Sequence, residues 1–190
     1  MWTAFQASLL DSAAEGARLG RLGQAMQRTV LSDDAWVDVC PGWVAGSDEL
    51  FTRLIDDVPW YAERRRMYDS VVDVPRLLCF YDEDDELPAP LLREARDALS
   101  VHYADELGEP FRTAGMCYYR DGRDSVAWHG DTIGRSAHED TMVAIVSLGS
   151  PRRLLLRPRA GGSTIRFLLG HGDLLVMGGS CQRTWEHAIP

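Results

Sequence analysis

The chain carries five histidines, and three of them stand two residues ahead of an aspartate: His129-Gly130-Asp131, His138-Glu139-Asp140 and His171-Gly172-Asp173. With 19 aspartates in 190 residues, chance supplies about 0.5 such pairs, so the pattern is in excess while each pair alone is a weak signal. In an extended strand, residues i and i+2 project from the same face, so a histidine and an aspartate at this spacing can grip one metal ion from one side. The ion then needs a third ligand from elsewhere. Two imidazoles and a carboxylate form a facial triad that leaves adjacent coordination positions open, which lets ferrous iron hold a bidentate cosubstrate and dioxygen together.

Context selects among the pairs. Ser125-Val126-Ala127-Trp128 feeds His129 as a strand, and several further strands separate it from His187, whose strand a barrel would return to its side. His129, Asp131 and His187 are therefore the leading ligand set. His171 sits between Gly170 and Gly172, in a turn, where a structural role is the simpler reading; His138 follows Gly134-Arg135-Ser136-Ala137 and reads as loop. His102, near a helix end, reads as a surface or capping histidine.

The elements that must position these groups fall into two halves. Residues 1–35 are rich in Ala and Gly, with only weak periodicity, and read as an N-terminal arm; Trp36, Val37 and Val39 then suggest a first strand. Leu50, Phe51, Leu54, Ile55 and Val58 share one helical face after Ser47 and Asp48, both good N-cap residues, and Pro59 stops the run. Pro90 opens a second helix with Leu91, Leu92, Ala95, Leu99 and Tyr103 on one side, ending near Gly108. Residues 71–81 read as strand. From Arg112 onward, short runs rich in Val, Ile, Leu and aromatics alternate with Gly, Asp and Pro clusters, placing strands at 113–119, 125–131, 142–148, 152–157, 163–169, 173–177 and 182–188. The intervening turns fall at Asp121-Gly122, Gly149-Ser150-Pro151, Gly161-Gly162, Gly170-His171-Gly172 and Gly178-Gly179. Helices ahead of so many short strands indicate a jelly roll or barrel backed by helices.

Length suits one ordinary domain, and 45% hydrophobic with 26% charged residues excludes wholesale disorder. The apolar stretch 142–146 is far too short for a membrane span, and Asp11 and Glu15 interrupt the N-terminus where a signal peptide would be apolar. Cys40, Cys79, Cys117 and Cys181 form no C-x-x-C pair and read as reduced thiols, so a cytoplasmic location is expected. The net charge of −9 argues against loose coating of nucleic acid, yet every one of the 20 basic residues is Arg, a planar fork suited to carboxylate or phosphate. Arg64-Arg65-Arg66 and the cluster from Arg152 to Arg159 are local patches that could meet phosphates; as a bland alternative, Arg64 to Arg66 form a solvated turn.

The segment from Tyr119 to Asp131 resembles the first metal motif of the AlkB-like family of iron(II)- and 2-oxoglutarate-dependent dioxygenases. Residues 143–157 resemble the family's central strands, and Gly172 to Met177 running into Thr184-Trp185-Glu186-His187 resembles the strand pair that delivers the second histidine. Val74 to Asp82 resembles part of the lid over the substrate base, so the likeness covers roughly residues 36–190. It implies an α+β, mainly β, double-stranded β-helix (jelly roll) backed by N-terminal helices, with helices mainly in 36–110 and the jelly roll in 111–190. It further implies that His129, Asp131 and His187 bind Fe(II), that Tyr119 hydrogen-bonds 2-oxoglutarate, and that Arg76 and Tyr81 lie near the substrate. Family chemistry uses dioxygen and 2-oxoglutarate to hydroxylate an N-alkyl group of a base in alkylated DNA or RNA, which then leaves as an aldehyde. A monomer is expected.

This sequence departs from the family pattern at three places. Where the family has Asn-x-Tyr, this chain has Cys117-Tyr118-Tyr119, which removes an amide contact to 2-oxoglutarate. Ile133 stands where the family often has an acidic residue facing the substrate. Beyond the second histidine the family supplies an Arg for the distal carboxylate of 2-oxoglutarate and a final strand, and neither is found before Pro190, so the jelly roll is expected to lack its last strand. Two other readings stand beside repair of alkylated bases: a 2-oxoglutarate oxygenase acting on a protein or small molecule, and a catalytically silent jelly-roll binding module.

Overall fold

The computed structural model describes residues 16–67, 70–131 and 138–190, with the backbone alone at 65–67 and 70–73. Its elements run β1 (Arg18–Leu19), β2 (Gln27–Val30), β3 (Ala35–Cys40), β4 (Val44–Ala45), α1 (Ser47–Asp57), β5 (Tyr61–Met67), β6 (Ser70–Tyr81), α2 (Pro90–His102) and α3 (Ala104–Leu107). They continue with β7 (Ala114–Tyr118), β8 (Val126–His129), β9 (Val143–Ser147), β10 (Arg152–Pro158), β11 (Ile165–Leu169), β12 (Asp173–Gly179), α4 (Cys181–Thr184) and β13 (Trp185–Ile189). Two four-stranded antiparallel sheets, ordered β2-β3-β12-β9 and β11-β10-β13-β8, form the centre; the chain passes from one sheet to the other between β8 and β9, β9 and β10, β11 and β12, and β12 and β13. This mainly-β winding is consistent with a jelly roll. A third sheet, β5-β6-β7, stands apart from them.

Leu174, Leu175, Val176 and Met177 of β12 are all fully buried, because apolar groups cover both faces of that strand. Leu175 and Met177 meet Val37 of β3, Leu154 and Leu156 of β10 and Trp185 of β13 in the core between the two sheets. On the opposite face, Leu174 and Val176 share a second core with Trp36, Leu50 of α1, and Ala95 and Leu99 of α2. Each large aliphatic side chain so buried contributes about 1.5–3 kcal/mol relative to exposure.

Several local expectations are corrected. Within the stretch read as an arm, β2 pairs along β3 in register from Gln27↔Val39 to Val30↔Trp36 and forms the edge of a central sheet; residues 1–15 lie outside the described residues. Its anchor is electrostatic: Arg28 forks onto the buried Asp38 at 2.8 and 2.7 Å, lies 3.7 Å over the Trp36 ring and also pairs with Glu106, while the Tyr103 hydroxyl donates to Asp38 at 2.9 Å. The N-cap of α1 is Gly46 in the left-handed region, with Ser47 and Asp48 already in the first turn. Gly178-Gly179 is the end of β12 and no free turn, since the Trp36 ring lies so close that a Cβ at Gly178 would stand 2.2 Å from it. Residues 181–184 form a helical turn before β13 begins at Trp185.

Arg64-Arg65-Arg66 lie in strand β5 and pair with β6. Between the pairs Ala62↔Leu77 and Arg64↔Asp73, Glu63 faces three residues, Val74, Pro75 and Arg76, so β6 bulges there. Pro75 suits the bulge because it has no N–H to offer a ladder, and its carbonyl accepts the Ser125 N–H at 2.7 Å, tying the hairpin to the segment that leads into β8.

Candidate metal centre

His129 and His187 are direct cross-strand partners in the β8–β13 pair, and Leu156 of β10 flanks His187 on its other side. The two imidazoles stand 4.2 Å apart, centroid to centroid, tilted by 49°. Asp131 completes the group: its Oδ1 is 3.4 Å from His129 Nε2 and its Oδ2 is 3.5 Å from His187 Nε2. The three prospective ligand atoms all lie within 4.8 Å of one another. Two donors each about 2.1 Å from one small cation lie no more than about 4.2 Å apart, so the set needs only a modest contraction to share an ion.

Protonation also fits a metal. His129 Nδ1 is 2.8 Å from the Ala127 carbonyl oxygen and donates to it, which turns Nε2 toward Asp131. Burial pushes His187 down to about 4, so its ring is neutral and a lone pair is available near neutral pH. Burial works to raise Asp131, yet its bond to His129 and the nearby positive groups hold it below the usual carboxylate range; His129, bonded to Asp131, sits above the ordinary imidazole value. Neutral imidazoles and an ionised carboxylate are what a divalent transition metal requires, and displacing the proton His129 shares with Asp131 is the cost of loading.

The backbone around the ligands is tightly fitted. Asp131 donates its N–H to Oε1 of Gln182 at 2.8 Å. A Cβ at position 130 would stand 2.4 Å from the Gln182 carbonyl oxygen and 2.6 Å from Nη2 of Arg159, so only glycine allows α4 to approach the ligand loop this closely. On the other side of the strands, Arg157 lies 4.2 Å over the Trp128 ring and pairs with Glu186 at 2.9 Å, which Arg159 also contacts at 3.1 Å.

Tyr119 follows β7 directly and lies half-buried under the Arg152 guanidinium, 4.7 Å from the ring centroid. Arg152 also donates to the carbonyls of Asp121, Asp124 and Pro190 at 3.1, 2.6 and 2.8 Å, holding the turn between β7 and β8. Burial, then the neighbouring Cys117 thiol, raises the Tyr119 phenol well above its ordinary value, which keeps it a proton donor. Tyr118 points elsewhere and packs on Trp60 with ring centroids 5.4 Å apart. Arg76, on the β6 bulge, donates to the Ser125 carbonyl at 3.2 Å, and its charge is felt by Tyr119, His129 and Asp131 alike. Its Nε is buried with no hydrogen-bond partner among the described residues. The structure thus brings His129, Asp131, His187, Tyr119 and Arg76 to one region.

Tyr81 is not brought there. It pairs with Ala114 at the far end of β6, about 16 Å of extended chain beyond Arg76. Burial, followed by the Cys79 thiol, raises it to about 12. Ile133 lies outside the described residues.

A family model described as the 2OG-Fe(II) oxygenase superfamily matches residues 81–190. The chain belongs to that superfamily. Membership implies Fe(II), 2-oxoglutarate and dioxygen, and the His-Asp-His donor set fits the iron. The chain is similar to the alpha-ketoglutarate-dependent dioxygenase alkB homolog 3 of Bos taurus, with 29% identity over 175 residues, 81% of this chain and 60% of that protein. The same protein of Homo sapiens is 28% identical over 171 residues, 79% of this chain and 58% of its own length. The DNA oxidative demethylase ALKBH2 of Homo sapiens is 25% identical over 169 residues, 77% of this chain and 63% of its own length. The chain therefore spans about three fifths of the length of these curated relatives. Their names agree with the AlkB-like resemblance read from the motifs.

The superfamily motif explains the ligands but not everything that holds them. Gly130, Gln182 and Arg152 were not singled out as site residues by sequence reasoning. For Gln182 a signal existed: an amide followed by Arg183 and Thr184 interrupts the apolar alternation expected of a strand over 182–188. The remaining histidines are structural or peripheral. His171 Nδ1 accepts the Gly149 N–H at 2.7 Å and its Nε2 lies 3.2 Å from Asp48, joining a turn to α1, while His102 ends α2 against the Tyr103 ring. His138 is exposed in a turn.

Proposed function

We propose that the protein is an Fe(II)- and 2-oxoglutarate-dependent dioxygenase that removes alkyl groups oxidatively from N-alkylated nucleobases in DNA or RNA. The observation that carries this reading is the convergence of His129, Asp131 and His187 from two paired strands and the loop beyond them. Relatives named as dioxygenases of the AlkB type and as a DNA oxidative demethylase support the substrate class. Bound iron supplies the redox chemistry in which dioxygen oxidises 2-oxoglutarate to succinate and carbon dioxide and hydroxylates the N-alkyl carbon, which then leaves as an aldehyde.

The chain's own residues bind and orient. His129, Asp131 and His187 would hold the metal, and three protein ligands of this kind would leave coordination positions for a cosubstrate and dioxygen. Tyr119, kept protonated by burial, donates a hydrogen bond to a carboxylate of 2-oxoglutarate, and Arg152 fixes its ring. Arg76, whose buried Nε has no hydrogen-bond partner among the described residues, offers a charged fork to an anionic group, either a cosubstrate carboxylate or a substrate phosphate. A base inside a duplex must be flipped out to reach such a site, and an alkylated base that pairs poorly costs less to extrude. The four free thiols support a reducing, cytoplasmic setting.

The net charge of −9 favours a second reading, in which the same centre oxidises a protein side chain or small molecule. The test is an incubation with Fe(II), ascorbate and 2-oxoglutarate, with and without an oligonucleotide carrying N-methylated bases, reading succinate and formaldehyde. Both products should rise with the methylated oligonucleotide and not with unmodified DNA. Succinate without that dependence supports the second reading; absence of succinate under all conditions refutes both.

A further inference from the structure

The three ligands are not held in the same way. His129 is the last residue of β8 and is fixed by its ladder with β13 and by the Ala127 carbonyl, while His187 sits in β13 between β8 and β10. Asp131 lies past the end of β8, where no strand among the described residues pairs with its backbone. Its N–H goes to a side chain, Oε1 of Gln182 at 2.8 Å.

Gln182 is an unusual residue to find at that depth. It is 1% exposed, and among the described residues its amide nitrogen donates only to Sδ of Met177 at 3.7 Å. A thioether is a weak acceptor, so an amide buried here is less stabilising than a well-packed Met or Leu of similar volume. Its backbone approaches Gly130 so closely that no Cβ fits between them. Side chain and main chain of one residue thus bracket the two residues that follow His129.

We infer that Gln182 is a positioning residue of the metal centre, holding the Asp131 backbone so that the carboxylate falls between the two imidazoles. Among the described residues its Oε1 bonds the Asp131 N–H rather than a ligand atom, and so does for Asp131 what the strand ladder does for the histidines. The inference rests on the metal-centre reading and adds to it a requirement on a residue outside the triad.

Co(II) is a suitable probe because its visible d–d absorption reports the ligand set and it needs neither cosubstrate nor turnover. Titrated into the metal-free 190-residue chain, it should bind the wild type and fail to bind His187→Ala. Gln182→Met, which keeps the volume and removes the acceptor, should bind about 10–100-fold more weakly with a shifted band. Gln182→Glu retains an oxygen that accepts the Asp131 N–H and should return to within a few-fold of the wild type. A merely structural role predicts that Q182M changes the melting temperature while Co(II) affinity and spectrum stay unchanged, and that result overturns the inference while leaving the metal centre intact. A wild type that binds no Co(II) overturns both. Should Q182M not fold, amide hydrogen exchange decides: protection of the Asp131 N–H in the metal-free wild type, lost in Q182E only in part, supports the inference, and exchange at the unprotected rate overturns it.

Discussion

Replacing Gly130 by Ala adds one methyl group at the tightest point of the site. The new Cβ would meet the Gln182 carbonyl oxygen at 2.4 Å and Nη2 of Arg159 at 2.6 Å. Ordinary carbon–oxygen contacts begin near 3.2 Å, so roughly 0.8 Å must open on the side of the carbonyl. Arg159 can swing aside, being the end of a long side chain that is 41% exposed. The Gln182 carbonyl cannot, because it belongs to α4, whose Cys181 and Gln182 are buried.

Gly130 has no positive φ, so the backbone itself accepts alanine and the cost is steric. Overpacking of this kind costs about 1–3 kcal/mol, against which alanine gains about 0.4–1 kcal/mol by restricting the unfolded chain. The net expectation is destabilisation by about 1–2 kcal/mol. With a urea m-value of about 2 kcal/mol per molar, that lowers the unfolding midpoint of the metal-free protein by about 0.5–1 M. The displacement falls on Asp131 next in sequence, so Co(II) affinity should drop further than the stability does. An alanine variant with the wild-type midpoint and wild-type metal affinity refutes the close-approach reasoning.

Two further outcomes follow from paired charges. Removing Arg28 by R28A leaves Asp38, 2% exposed, with the Tyr103 hydroxyl as its side-chain partner among the described residues, and should cost about 2–3 kcal/mol in chemical denaturation; this lies below the figure for a fully buried pair because Arg28 is 38% exposed. R28K restores charge without the fork and should recover only part of the loss; full recovery would contradict the bidentate account. Asp124, whose carboxylate takes the Arg120 side chain and N–H, is held below the ordinary carboxylate value chiefly by that side-chain bond. A depressed folded value means its stabilisation is present above the ordinary carboxylate pKa and is lost as pH falls through the folded value. The stability gap between wild type and Asp124→Asn should therefore be full at pH 7 and close in strong acid; a gap independent of pH refutes the assignment.

The legible parts of the molecule are those where pairing and burial agree with local pattern. The run Leu174-Leu175-Val176-Met177 is apolar on both faces because the strand is covered on both, and Pro90 marks the start of α2 because its missing N–H does no harm there. Strands β2 and β5 read poorly for the opposite reason. All four residues of Gln27-Arg28-Thr29-Val30 fall on the exposed side, and Tyr61 to Met67 is mostly charged, so neither shows alternation; one is held by the Arg28 fork on Asp38 and the other by its hairpin with β6. Tertiary pairing decides both, and no local window contains it.

The same distinction runs through the metal centre. Trp185 and His187 are two apart on β13, and the alternation that sends Trp185 into the core beside Leu154 and Leu156 sends His187 inward as well. Glu186, between them, faces outward onto Arg157, its register partner on β10. A slip of one residue would expose Trp185, bury Glu186 away from its arginines and turn His187 away from the ion, so three penalties protect one register. The histidines are thus placed by forces that also make the fold, and a reader of the sequence who finds the strands finds them. Asp131 lies beyond the last residue of β8, outside the reach of that alternation. What places it is a buried amide and a missing Cβ, which leave no periodic trace in the sequence.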